Sequence, residues 1–197
     1  MIDNLLTFIQ LGFRHILPLG LDHICFIVAI YLTSRGWKSL LLQVSCFTIA
    51  HTITLGLAAA GIITLSADIV EPLIALSIAV VAIEAIFVEK APAWRLPVIF
   101  GFGLFHGMGF ASQMRGYMEG ADFTTALLGF NIGVELGQLV VLAGAALAAV
   151  LVRSVLKAAK RPDLYRWVFV RPIAIAIAVF GLVWMVQRLG WVGGGDV

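Results

Sequence analysis

Six hydrophobic runs, each of 20 residues or more, account for most of this 197-residue chain. An α-helix needs about 20 predominantly apolar residues to cross a bilayer, so each run is long enough to span a membrane. Hydrophobic residues make up 61% of the chain and charged residues only 12%, which excludes an ordinary water-soluble domain. The runs cover residues 14–33, 39–63, 69–88, 95–114, 123–152 and 168–189.

The sequence therefore predicts an all-α fold, a polytopic membrane helix bundle of about six transmembrane helices. Residues 1–13 show no signal-peptide pattern, and we expect them to form a short amphipathic helix before the bundle. With short connections added, residues 1–197 leave no room for a second domain and are predicted to form a single transmembrane domain. The expected surroundings are the lipid bilayer and, as an open alternative, further copies in a homo-oligomer. A net charge of +2 without a basic patch argues against a nucleic-acid partner.

Lysine and arginine are unevenly distributed over the connections between the runs. The second connection has none and the fourth only Arg115, whereas the fifth has five. By the positive-inside rule the odd connections face the cytoplasm, so we expect an inner (cytoplasmic) membrane protein with both termini on the outer, periplasmic face. Arg14 and Arg188 would then lie at outer helix ends, against the trend. The five residues of the fifth connection are Arg153, Lys157, Lys160, Arg161 and Arg166.

All four histidines lie in or beside these runs, together with several carboxylates. An ionisable group at bilayer depth costs about 3 kcal/mol or more, so a chain that keeps several is expected to use them. A rise of 1.5 Å per residue places most of them in one layer between the outer face and the midplane. We therefore predict an intramembrane site for a divalent transition-metal ion (nickel, cobalt or zinc), with the ligands His15, Asp22, His23, His51, His106 and Glu135.

Further polar residues extend this site into a predicted ion path. Asn131, Glu135 and Gln138 follow one another at helical spacing and form a stripe that must face protein or water, although interhelical hydrogen bonding would also explain the two amides. Glu71 opens the third run, where complementing the helix dipole is an equal explanation. Glu84 lies thirteen residues further on, as an exit step or as the partner of a basic residue.

The fourth run surrounds its histidine with glycines. Gly103 and Gly107 are four residues apart on either side of His106. Small residues at this spacing let a neighbouring helix approach closely. We therefore expect His106 to be brought against the helices of the first and second runs.

Five segments of the chain resemble the HupE/UreJ family of membrane proteins. Members tied to hydrogenase and urease maturation are regarded as secondary nickel or cobalt permeases, so the resemblance implies metal uptake through His15, Asp22, His23 and His106. Six residues separate His15 from Asp22 where the nickel-permease pattern has five, and the second His and the Glu after Phe-His-Gly are replaced here. The resemblance thus specifies the family more closely than the ion. The segments are 15–23 (HILPLGLDH), 47–55 (FTIAHTITL), 71–77 (EPLIALS), 102–111 (FGLFHGMGFA) and 130–137 (FNIGVELG).

Functions of different classes are consistent with these residues. The first is a secondary permease whose imidazole and carboxylate ligands bind a divalent metal, such as nickel or cobalt, weakly enough to release it. The chain has no G-x-x-x-x-G-K-[ST] loop, so a gradient or a separate partner would drive transport. The alternative is an intramembrane zinc-dependent hydrolase, with His23, His51 and His106 as ligands and Asp22 or Glu135 as general base. A structural or accessory subunit with a static metal is the third option.

Overall fold

The computed structural model describes residues 2–34, 36–89, 92, 94–118 and 122–191. Within these ranges all regular secondary structure is helical, which confirms the predicted all-α bundle. A short 3₁₀ turn (Pro162–Leu164) and a π-helical turn (Arg166–Val170) lead into the last helix. The helices are α1 (Ile2–Ile16), α2 (Leu21–Thr33), α3 (Trp37–Ala59), α4 (Ala67–Phe87), α5 (Arg95–Gly109), α6 (Ala111–Met118), α7 (Phe123–Ala158) and α8 (Arg171–Arg188).

Four helical segments of the described chain are long and apolar enough to cross a membrane, namely α3, α4, α7 and Pro162–Arg188. A fifth span results if Asn4–Ile16 and Leu21–Thr33, which meet at a bend of 69°, are taken as one broken span. The predicted run 95–114 is divided between α5 and α6, and α5 has only 15 residues, about 22 Å of helix. The chain is therefore a multi-pass membrane protein in which two of the predicted spans are interrupted.

The first predicted run, 14–33, is broken between α1 and α2. Pro18 lies in the break, where its missing amide hydrogen and its ring oppose a continuous helix. A side chain at Gly20 would collide with the carbonyl of His15, so only glycine permits the chain to turn this tightly. The break brings the end of α1 and the beginning of α2 to the same place in the bundle.

The predicted amphipathic helix at the start of the chain packs along α7. Gly129, Gly133 and Gly137 of α7 are four residues apart and face α1. A Cβ atom would lie 2.9 Å from Phe8 at the first of them and 2.7 Å from Ile16 at the last. The buried face of α1 is therefore held against a groove of small residues, as in close helix pairs within membranes.

The glycines around His106 have the role predicted for them. A Cβ atom on Gly103 would lie 2.6 Å from the carbonyl oxygen of Phe47, and one on Gly107 would collide with the carbonyl of His51. The Thr54 hydroxyl donates to the Leu104 carbonyl at 2.7 Å. Helices α3 and α5 are thus in close contact, and His106 lies at their interface.

Helix α7 begins at Phe123 because Asp122 caps it. The Thr125 amide donates to Oδ2 of Asp122 at 2.6 Å. This bond stabilises the ionised carboxyl, so the pKa of Asp122 is lowered from its ordinary value. The cap satisfies one of the amides that a helix start leaves without an intrahelical partner.

The bundle has two ends, which we call upper and lower. The upper end contains the beginning of α4 at Ala67 and the end of α8 at Arg188; the lower end contains the end of α4 at Phe87 and the beginning of α5 at Arg95. The position of a residue along its helix therefore also gives its depth between the upper and lower ends of the bundle.

Candidate metal centre

Three histidines from three helices converge inside the bundle. His15 is in the last turn of α1, His23 in the first turn of α2 and His51 in α3. Each offers one ligand nitrogen, and these three atoms all lie within 4.8 Å of one another. An ion that binds imidazole nitrogens at about 2.1 Å keeps them within about 4.2 Å, so small side-chain rotations bring the three into range. We call these residues the histidine cluster.

Burial makes the histidine cluster unusual. His23 is 6% exposed and His51 is fully buried. Among the described residues, neither nitrogen of His51 has a hydrogen-bond partner, and Nε2 of His15 and of His23 also has none. Buried polar atoms without a partner are costly and rare. The cluster therefore has the donor atoms and the unmet bonding capacity of a ligand site.

His106 of α5 adjoins the histidine cluster. Its ring centroid is 5.0 Å from that of His23. Its Nε2 lies 2.9 Å from the hydroxyl of Ser77, which itself donates to the Ile74 carbonyl at 2.6 Å. A hydroxyl has one proton, so with that proton directed to Ile74, Ser77 would accept from Nε2–H and leave the lone pair on Nδ1. Nδ1 has no hydrogen-bond partner among the described residues, so His106 has a free donor atom beside the cluster but outside the three-residue group.

A cavity of about 670 Å³ connects the upper surface with these histidines. Its inner wall includes His15, His23 and His106, and its rim includes Leu19 and Tyr117, which are exposed. Two carboxylates and two arginines also line the cavity. The cavity therefore gives a small cation a direct path to the site from one end of the bundle. The four charged residues are Arg14, Asp22, Glu71 and Arg188.

Aromatic side chains close the site on its lower side. Phe26 of α2 and Phe47 of α3 have ring centroids 4.8 Å apart, and these lie 5.2 and 5.0 Å from the ring of His106. Each phenylalanine is about one turn nearer the lower end than the histidine of its own helix, and both are buried. We call this pair the phenylalanine layer.

The predicted carboxylate ligand Asp22 lies beside the histidine cluster and is bonded elsewhere. Its Oδ2 accepts from Nη2 of Arg188 at 2.8 Å. Glu71 lies 3.5 Å from Nε of the same arginine. Both carboxylates therefore belong to the mouth of the cavity, and Glu71 lies on the predicted path from the surface.

The polar stripe of α7 faces α3, and the structure does not bring Glu135 to the histidines. Asn131 accepts from the Thr52 hydroxyl, and Gln138 accepts from the Thr48 hydroxyl at 2.9 Å. Glu135 is exposed because α7 turns its glycine face, two residues away on either side, toward α1. In this structure Glu135 therefore lies away from the histidines, and the two amides make the interhelical hydrogen bonds that were the open alternative.

Glu84 lies below the phenylalanine layer and pairs with a basic residue. Its Oε2 is 3.4 Å from Nε of Arg95, which is 2% exposed. Arg95 also donates to the Thr33 hydroxyl. These contacts join the lower ends of α2, α4 and α5. Of the two alternatives for Glu84, the structure shows the ion pair with a basic residue.

Sequence reasoning missed three contributors to the site. Ser77 closes the EPLIALS segment, but a serine in an apolar run gives no signal of what it contacts. The phenylalanine layer is hidden among 13 phenylalanines. Arg188 could have been noticed, because a basic residue at an outer helix end is an exception to the positive-inside rule. Its partners, Asp22 and Glu71, explain its place.

Fold and site together define a multi-pass membrane protein with buried histidines at the foot of a cavity. The family model described as HupE / UreJ protein matches residues 1–188, and the chain belongs to the HupE/UreJ family. That family is associated with nickel and cobalt transport. A search of curated proteins and a search of solved structures each found no match.

Proposed function

We propose that this chain is a secondary permease for a divalent transition-metal cation such as nickel or cobalt. The observation that carries the proposal is the convergence of the histidine cluster, whose three ligand nitrogens lie within 4.8 Å of one another inside a membrane bundle. Ionisable groups at this depth are retained where they serve a substrate path. His106 is the fourth nitrogen donor, and the metal is the substrate.

The donor set fits a transition metal that has to be released. Neutral imidazole suits nickel, cobalt, zinc and copper, whereas calcium and magnesium prefer oxygen ligands. The described carboxylates are outside the three-histidine group, so the ion would be held by uncharged ligands. Imidazole binds a metal only in its neutral form, so protonation of the cluster would provide a release step.

The two sides of the site differ as alternating access requires. On the upper side the cavity leads from the surface to the histidines. On the lower side the phenylalanine layer and then the Glu84–Arg95 pair close the path. Release at the lower end requires α2 and α3, which carry the two phenylalanines, to separate. The structure thus corresponds to the state in which the site is open to the upper side.

We further propose that the upper end faces the outside of the inner membrane. The last turns of α7 and its connection to α8 lie at the lower end and together carry the five basic residues of the predicted fifth connection. Basic residues are enriched on the cytoplasmic side. This orientation makes the observed state outward-open and the movement an uptake.

The hydrolase alternative has weaker support. Catalytic zinc needs a base close to its water. Asp22 is bonded to Arg188, and Glu135 is exposed on the outside of the single chain. Neither proposed base is placed to serve the histidines, so we favour transport.

Transport into proteoliposomes tests the proposal. Vesicles with an enclosed metal-sensitive dye receive Co²⁺ or Ni²⁺ outside, and we expect influx with the unmodified protein. His51→Ala should lower the rate by about tenfold or more, since it removes one ligand of three. Ile53→Ala, an exposed position on the same helix, is the matched control and should transport normally. Equal influx with His51→Ala, or none with the unmodified protein, would contradict a permease built on this cluster.

A further inference from the structure

Arg188 occupies the place between the two carboxylates at the mouth of the cavity. Its Nη2 donates to Oδ2 of Asp22 at 2.8 Å, its Nε is 3.5 Å from Oε2 of Glu71, and its Nη1 donates to the Glu71 backbone carbonyl at 3.2 Å. The three side chains are between 22% and 38% exposed, so they stand in the wall, partly withdrawn from solvent. A guanidinium is permanently charged and binds carboxylates through directed hydrogen bonds.

The same cavity holds independent signs of a cation ligand. Nε2 of His23 and Nδ1 of His106 have no hydrogen-bond partner among the described residues, and the two side chains are only 6% and 1% exposed. Both residues line the cavity whose mouth the carboxylates form. A cation that enters this cavity therefore meets two carboxylates that are already bonded to Arg188.

We infer that Arg188 is a tethered cation that competes with the incoming metal for Asp22 and Glu71, and so selects divalent over monovalent ions. The inference rests on the proposed permease function. Because Arg14 also lines the cavity, two carboxylates and two guanidinium groups leave its lining without net charge, and Arg188 is the arginine in contact with both carboxylates. A monovalent ion brings no more charge than the guanidinium and lacks its hydrogen bonds, so it does not displace Arg188. A divalent ion brings twice the charge and can.

The position of Arg188 allows this exchange. It is the last residue of α8, and Gly190 follows with a positive φ of 70°, where the chain leaves the helix. Because the Arg188 side chain is 25% exposed, its guanidinium can rotate toward solvent while α8 stays in place. Its other neighbour, the ring of Trp184, is 5.9 Å from the guanidinium carbon and gives the displaced cation a second contact.

The experiment measures Co²⁺ binding by purified, chelator-washed protein in detergent, in the presence and absence of excess K⁺. We expect Arg188→Gln to bind Co²⁺ about tenfold more tightly, since the contacts of the guanidinium with Asp22 and Glu71 no longer have to be broken. We also expect K⁺ to compete with Co²⁺ in the variant and not in the unmodified protein. Arg188→Lys, which keeps the charge and loses the planar fork, should lie between the two.

Arg166→Gln is the matched control. Arg166 also ties helices together, through Glu89 and the carbonyls at the end of α4, but at the lower end and outside the cavity. Its loss should leave Co²⁺ affinity unchanged. If Arg188 were only a structural tie, folded Arg188→Gln would bind Co²⁺ equally or more weakly, and that result overturns the inference alone. Failure of both the unmodified protein and the variant to bind Co²⁺ overturns the permease proposal as well. If Arg188→Gln does not fold, unchanged or weaker binding by Arg188→Lys overturns the inference.

Discussion

The hydroxyl of Ser77 lies 2.9 Å from Nε2 of His106, across the interface of α4 and α5. The same hydroxyl lies 2.6 Å from the Ile74 carbonyl oxygen, so the direction of its single proton and the tautomer of His106 are set together. Partners of this kind orient metal-binding histidines and set their tautomer. The site therefore extends beyond the residues that would touch the metal.

Ser77→Ala should weaken Co²⁺ binding by about tenfold, because His106 loses the contact that holds its ring and its tautomer. Titration of purified protein with Co²⁺, followed by its visible absorption, measures the affinity. Ser45→Ala, at a half-buried serine of α3, is the control and should bind as the unmodified protein does. An unchanged affinity in Ser77→Ala would show that the hydrogen bond between Ser77 and His106 does not contribute to metal binding.

Gly133→Ala should destabilise the protein by about 1–3 kcal/mol, because the new methyl group meets the backbone of α1, including the Phe13 amide nitrogen at 2.7 Å. Thermal unfolding in detergent measures the loss. Gly144→Ala is a control in the same helix, where a Cβ atom meets nothing within 4 Å. It should be neutral or slightly stabilising, since alanine is the better helix former. Equal effects of the two substitutions would mean that α1 is not held against α7.

Glu84→Gln should destabilise the bundle by about 3 kcal/mol, because it leaves the charge of Arg95 buried without its partner. The matched control is Glu89→Gln, which removes the carboxylate paired with Arg166 but at a position 65% exposed. Exposed pairs contribute about 0–1 kcal/mol, so this second variant should unfold almost as the unmodified protein does. A neutral Glu84→Gln would argue that the lower ends of α2, α4 and α5 are not joined through Arg95.

Glu135→Gln should leave the Co²⁺ affinity of the purified protein unchanged, because Glu135 is exposed and outside the cavity lining. His23→Ala, measured beside it, should lose binding. If Glu135→Gln lost binding to the same extent, α7 would have to turn its carboxylate inward in the metal-bound state.

The fold class was predictable because it depends on the length and apolarity of the runs, which local sequence determines. The interruptions of the spans were harder to predict. Pro18 and Gly20 are visible in the run 14–33, but the 69° bend between α1 and α2 depends on how α1 packs against α7. Helix α5 ends at Gly109 within a run that continues in apolar residues, and composition alone does not mark that end.

The site was predicted in part for a similar reason. Depth along a helix follows from counting residues, and this count placed the histidines in one layer. Which way a side chain faces depends on the neighbouring helix. Glu135 shares its stripe with Asn131 and Gln138, yet only the two amides have partners on α3. Likewise, the pairing of Arg188 with Asp22 joins residues 166 positions apart, and one sequence alone does not reveal it.

Metal analysis of the chelator-washed protein tests the central claim, that the histidine cluster binds a transition metal reversibly. We expect the washed protein to carry no metal, to take up about one Co²⁺ per chain when the ion is added back, and to lose this uptake in folded His51→Ala. About one zinc per chain that survives the chelator would contradict a permease, because it would mark a static or catalytic site. Uptake that is unaffected by His51→Ala would contradict the site itself.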